Sequence, residues 1–277
     1  MTIQPIPVDL VKNAITLPEF DVFAIDFGGF GIRWYALAYI AGLLIGIYIL
    51  RRETRSPHAV MTADQTDRLL NYLLIGIILG GRRSNILFYN AAYYLENPLS
   101  ILHVWQGGMS FHGALIGVGL ALFAMAKRHN IAFLALSDRV AMVTPIGLFL
   151  GRLSNFINGE LYGRVTDVPW AMIFPHSDGL PRHPSQLYEA GLEGIVLGLA
   201  MYLCWRRGWL AATGRLTGLF LFGYGLARFL IELVRQPDAH IGLLAGGLSM
   251  GQILSLPMML LGLYLLRQAL RPRRDHE

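Results

Sequence analysis

The chain has 277 residues, 54% of them hydrophobic and 15% charged, with a formal net charge of +5. Soluble domains carry about a quarter charged residues, so this balance points away from them and makes the bilayer the solvent for most of the chain. The single cysteine, Cys204, excludes an internal disulfide and a cysteine-based metal cluster.

Residues Met1 to Gly31 mix Pro, Asp and aromatics and lack the basic start and small-residue cleavage site of a secretory signal peptide. The first span is therefore expected to stay in the mature protein. Apolar runs of about twenty residues, long enough to cross roughly 30 Å of hydrocarbon, occur near 34–50, 69–88, 109–126, 137–156, 187–205, 216–234 and 248–266. The expectation is an all-α polytopic membrane protein of about seven spans, forming one integral domain over residues 1–277. Residues 164–186, with several prolines and Trp170, are expected to form a small external cap between spans four and five. Such a cap covers the mouth of a cavity and receives a protein substrate.

Basic residues set the orientation. Arg51, Arg52, Arg55 and Arg68 follow the first span, and Lys127, Arg128 and Arg139 the third. Arg206, Arg207 and Arg215 follow the fifth, and Arg267, Arg271, Arg273 and Arg274 the seventh. The opposite loops, 89–108 and 235–247, carry almost none, which predicts a cytoplasmic C-terminus and an outer N-terminus. The positive charge is thus read as topology, and no nucleic-acid partner is expected.

The remaining basic residues are Lys12, Arg33, Arg82, Arg83, Arg152, Arg164, Arg182, Arg228 and Arg235. Most lie toward the outer ends of spans. Guanidinium forks match phosphate oxygens in bidentate fashion, so their convergence reads as a site for an anionic lipid head group. Snorkelling of each long side chain to the interface is the alternative. The densest group ends the fourth span, where Arg152, Asn155, Asn158 and Glu160 crowd into Gly151–Arg164. Ionisable groups at membrane depth are costly unless they pair or line a wet cavity, and so mark a functional site.

Three further groups stand out. In span six Tyr224, Arg228, Glu232 and Arg235 fall at about 0°, 40°, 80° and 20° around a helix, a stripe that must face the interior. Arg228 and Arg235 can each pair with Glu232 there, either as a network that fixes packing or in support of a phosphate site. At the entrance to span three, His112 lies among Gly107, Gly108 and Gly113. An imidazole titrating near pH 6.5 suits proton transfer, or the residue is structural; the glycines serve a ligand or close helix packing. Span one opens on Ile32-Arg33-Trp34-Tyr35, where Trp34 fits an interfacial belt and Tyr35 either the belt or the site.

Taken in order, these groups resemble the prolipoprotein diacylglyceryl transferase family over nearly the whole chain. Gly-Arg-x-x-Asn-Phe-Ile-Asn-x-Glu-x-x-Gly is matched by Gly151 through Gly163, and His-Gly by His112 and Gly113. His-Pro-Ser-Gln-Leu-Tyr-Glu is matched by His183 to Glu189, and Arg-Gln-Pro-Asp by Arg235 to Asp238. The chain departs from the family pattern at Ala114, where a second glycine is common, and at Gly81–Asn85, which leaves Arg83 without a matched role. The resemblance implies transfer of a diacylglyceryl group from phosphatidylglycerol to the lipobox cysteine of a preprolipoprotein signal peptide, in the bacterial inner membrane with the active site toward the outer leaflet. It implies that Arg152 and Arg228 hold the lipid phosphate while Asn155, Glu160 and Gly163 shape the site. Tyr35, His112 and Tyr224 match functional positions, and Glu232 and Arg235 complete the lipid site.

The chemistry agrees with that expectation. A thiol becomes nucleophilic as the thiolate, which cationic neighbours or a histidine base favour. Arginines that bind the leaving phosphate more tightly as it gains charge lower the barrier. No cofactor or metal is required, and the sequence carries neither a phosphate-binding loop ending in Lys-Ser/Thr nor zinc-type ligand spacing. An anion transporter or channel, and a signal-peptide scaffold without catalysis, are the competing expectations.

Overall fold

The computed structural model describes residues 14–21, 23–26, 28, 31–88, 91–97, 100–101, 103, 110–236 and 247–270. These are mostly helical. The long helices are α1 (Trp34–Glu53), α2 (Ala63–Phe88), α4 (Phe111–His129), α5 (Phe133–Ile157), α6 (Ser185–Arg206), α7 (Arg215–Ile231) and α8 (Met250–Leu270), and a short α3 covers Ala91–Glu96. Each predicted apolar run thus falls largely within a helix. Four of them, α1, α5, α6 and α8, are long and apolar enough to cross a membrane. By contrast α2 opens on the polar stretch Ala-Asp-Gln-Thr-Asp-Arg, and α7 has only 17 residues.

The chain divides into two compact units, Ile47–Val140 and a second formed by Met1–Gly46 with Ala141–Glu277. In the first, α2 and α4 meet through paired glycines four residues apart, Gly76 and Gly80 against Gly113 and Gly117. A Cβ on Gly117 would lie 1.9 Å from the Gly76 carbonyl oxygen, and one on Gly113 2.3 Å from that of Gly80. Small residues at this spacing let helix backbones touch, and dispersion then replaces the hydrophobic effect as the packing force. Gly113 of the His-Gly pair is therefore a packing glycine. Gly117→Val is expected to lower the unfolding temperature in detergent by several degrees, since overpacking costs about 1–3 kcal/mol and here the obstacle is backbone. Gly119→Val, where nothing lies within 4 Å, is the control that should leave it unchanged.

Two arginines of this unit are structural. Arg82 donates from Nε to the Ile101 carbonyl at 3.0 Å and lies 5.0 Å over the Tyr94 ring, which fastens the segment after α3. Arg139, one of the basic residues from which the orientation is read, is 1% exposed. It pairs with the equally buried Glu53 at 3.5 Å and donates to the His58 carbonyl.

In the second unit α7 and α8 also pack on glycine, since a Cβ on Gly262 would lie 2.6 Å from the Phe222 nitrogen. Strand β1 (Ile15–Thr16) pairs in parallel with β4 (Met172–Ile173), while β2 (Phe23–Asp26) and β3 (Gly31–Arg33) form an antiparallel hairpin leading into α1. Val165 and Met172 both bridge to Arg182, and Phe174 stacks on Tyr162 at 5.3 Å. The segment expected to be a cap is thus ordered, with the N-terminal strand laid along it. Helix α6 changes winding: Ser185–Glu189 is α-helical, Ala190–Val196 is a π-helix, and Leu197–Arg206 is α-helical again.

Candidate functional site

Three helices of the second unit bring six charged side chains together. Glu189, on α6, is the centre. Its Oε1 accepts from Arg228 Nη1 at 2.7 Å and from Arg235 Nη1 at 3.1 Å, and its Oε2 lies 3.1 Å from Arg152 Nη1. Glu193, four residues on, accepts from Arg152 Nε and Nη2 at 3.3 and 3.2 Å. Glu232 lies 2.5 Å from Arg228 Nη2 and 3.9 Å from Arg235 Nε. The carboxylates are 0%, 0% and 5% exposed, whereas Arg152, Arg228 and Arg235 are 16%, 18% and 11% exposed. The acids are thus more deeply buried than the arginines they hold, and each arginine keeps part of its side chain exposed.

Helix α7 ends at Ile231, with Glu232 still in helical geometry as its cap. Tyr224, Arg228 and Glu232 therefore keep their expected common stripe, but Arg235 lies beyond it. That residue enters the cluster because the chain turns and forms an antiparallel bridge with Gly163, and its shorter ion pair is with Glu189, not Glu232. A Cβ on Gly163 would lie 2.6 Å from the Val234 carbonyl oxygen and 2.7 Å from His183 Cβ, so only glycine allows this crossing. Gly163 shapes the site by letting Arg235 reach it.

The end of α5 folds back on itself. Gly159 (φ 65°) and Leu161 (φ 58°) both take left-handed backbone, uncommon for leucine. They turn the Glu160 carboxylate toward Asn155 and Asn158, whose amides donate to its Oε1 at 2.8 and 3.3 Å. The carbonyls of Glu160 and Leu161 accept from Gln186 Nε2 at 2.6 Å and Ser185 Oγ at 3.1 Å. His183 and Trp170 both bond to the Tyr188 hydroxyl, at 3.2 and 2.6 Å. The seven-residue motif His183–Glu189 thus ties the Trp170 segment, the α5 turn and the arginine cluster to one helix start.

Other expected site residues take varied places. Tyr35 is 42% exposed, its hydroxyl 3.0 Å from that of Tyr39, and it lies within electrostatic reach of Glu160 and Arg152. Trp34 bonds to the Asp21 carbonyl at 3.0 Å, which adds a tether to the expected belt role. Tyr224 stacks on Phe220 and lies within electrostatic reach of Glu193, Arg152 and Arg228. His112 is in the first turn of α4, whose cap Ser110 accepts from Gly113 N; it belongs to the other unit, and its side chain lies outside the described residues. Lys12 is also outside them.

Arg182 is not free for a ligand. It forms a two-bond pair with Asp178 (3.1 and 2.6 Å) and donates to the Gly163 carbonyl and Gln236. Its guanidinium holds the Asp178 carboxyl below the usual carboxylate range. Arg164 donates to the Arg235 carbonyl at 3.0 Å, and Arg33 lies over the Phe23 ring. Sequence reasoning gave no role to Glu189 or Glu193. The available signal was two acids four residues apart at the start of an apolar run.

These features define a helical membrane protein in which a buried glutamate cluster holds three arginines together. Residues 22–267 match the family model described as prolipoprotein diacylglyceryl transferase, and the chain belongs to that family. It is 51% identical over 260 residues to the phosphatidylglycerol-prolipoprotein diacylglyceryl transferase of Paramagnetospirillum magneticum, covering 93% of this chain and 97% of that one. The enzymes of the same name from Rhodospirillum rubrum (53% over 255 residues, 90% and 92% covered) and Bordetella parapertussis (50% over 257 residues, 92% and 97%) are similarly related.

Proposed function

We propose that this chain transfers the diacylglyceryl group of phosphatidylglycerol to the lipobox cysteine of preprolipoproteins, the first step of lipoprotein maturation. The observation that carries this reading is the arginine cluster: three guanidiniums fixed by buried carboxylates, each arginine side chain still partly exposed. Such donors are preorganised for a phosphate and need no rearrangement as charge develops on it. The cysteine sulfur attacks the glycerol carbon that carries the phosphate. A C–S bond forms as the C–O bond breaks, and the electron pair leaves on the phosphate oxygen as glycerol phosphate.

In this reading Arg152, Arg228 and Arg235 hold the phosphate, and Glu232 holds two of these arginines. Glu160, Asn155 and Gly163 form the wall beside them, while Tyr35 and Tyr224 line the approach. His112 is assigned the thiol proton on its motif and on the proton-transfer chemistry that imidazole offers. The topology that goes with it is seven spans in one integral domain, an outer N-terminus and a cytoplasmic C-terminus. The site then faces the outer leaflet of the bacterial inner membrane, and residues 164–186 form a cap that receives the signal peptide.

The test is a detergent-micelle reaction of purified protein with phosphatidylglycerol and a lipobox peptide, read by mass spectrometry. An adduct of diacylglyceryl mass on cysteine, lost when that cysteine is serine, is expected. No adduct, with both substrates bound, would leave a binding scaffold. His112→Gln is expected to cut turnover at least about 100-fold, within the range of general-base loss, while phosphatidylglycerol binding persists. Full turnover from pH 6 to 9, a range about the imidazole titration, would remove the histidine from the proton path.

A further inference from the structure

We infer that Glu193 is a positioning residue of the transfer, acting through Arg152; the inference rests on the transferase reading above. Glu193 lies within the π-helical Ala190–Val196, and single π turns inside α-helices concentrate at functional sites. The next residue, Gly194, sits hard against α5: a Cβ there would lie 2.6 Å from Phe149 Cβ. Phe149 and Arg152 are three residues apart and share a face of α5. The glycine contact therefore draws α6 to α5 where a glutamate side chain can span from one to the other.

The contact is specific in its geometry. One oxygen of Glu193 accepts from both Nε and Nη2 of Arg152, the edge of the guanidinium nearest its own stem. Glu189 faces Nη1 from one turn earlier on α6. Two carboxylates four residues apart thus bracket one guanidinium and fix its plane. The other oxygen of Glu193, Oε1, is buried and has no hydrogen-bond partner among the described residues. Among the described residues, the hydrogen bonds and ion pair of Glu193 go to Arg152.

The experiment is a double-mutant cycle in the adduct assay, with wild type, Glu193→Gln, Arg152→Lys and the double variant. Glu193→Gln is expected to lower kcat/KM for phosphatidylglycerol by about 10- to 100-fold, the range for misplacing a reacting group by about 1 Å, with a smaller fall in unfolding temperature than Glu189→Gln, because Arg152 keeps the Glu189 carboxylate. In the Arg152→Lys background the same change should cost about twofold or less, because a residue that acts through another has nothing left to position. Where Arg152→Lys leaves no measurable turnover, the same cycle is read in phosphatidylglycerol binding. Equal fold-losses in both backgrounds, or activity of Glu193→Gln within about twofold of wild type, overturn the proposal. If Glu193→Gln does not fold, Glu193→Asp carries the cycle, and failure of both to fold makes the residue scaffold and also overturns it. Wild-type protein that forms no adduct sinks the transferase reading itself; active wild type with an indifferent Glu193→Gln sinks only the positioning role.

Discussion

Glu189→Gln is expected to destabilise the protein by about 3–5 kcal/mol and to abolish transfer. Glu189 is 0% exposed and meets all three arginines of the cluster. Removing one member of a buried ion pair leaves the other charge uncompensated, which costs far more than the intact pair contributes. Glutamine also brings an amide that turns donors toward donors. In a chain of this size the loss corresponds to a fall in unfolding temperature on the order of ten degrees. Thermal unfolding in detergent and the adduct assay measure the two effects separately. An unfolding temperature within a degree or two of wild type would show that Glu189 is not the centre of the network.

Arg228→Lys should have the largest effect on activity with the smallest on fold. Arg228 reaches Glu189 with Nη1 at 2.7 Å and Glu232 with Nη2 at 2.5 Å, so its plane is fixed at both ends. A lysine keeps the charge as a single point and cannot span both acids while presenting a fork. Loss of about 100-fold or more in kcat/KM is expected, with an unfolding temperature close to wild type. Near-normal turnover would remove bidentate phosphate binding from the mechanism.

The helices were legible because an apolar run of membrane length has few other meanings. Their ends were less so. Extrapolating the helical stripe of α7 put Arg235 at about 20°, on the same face as Tyr224. The helix stops at Ile231, and the residue reaches the cluster through the Gly163 bridge instead. No periodicity carries that information, since it depends on a glycine seventy-two positions away. Glu193 was missed for a related reason: its partner Arg152 lies on another helix forty-one positions away, which no periodicity within α6 reveals. The ambiguity over Gly113 turned on a partner, and Gly80 on α2 resolves it as packing. Two-residue strands such as β1 and β4 are too short for alternation to register, so the N-terminal strand along the cap was not foreseen.

The three guanidiniums and three carboxylates of the cluster sum to zero when all are ionised. Without substrate the site is electrically neutral, and it imposes no net charge on the low-dielectric surroundings. A lipid phosphodiester entering under the proposed reaction makes the ensemble singly negative. Its conversion to a phosphate monoester, whose second ionisation lies near pH 6, adds further negative charge. The arginines that stabilise the departing phosphate therefore also grip the freed headgroup, and turnover is completed only when water draws that product out.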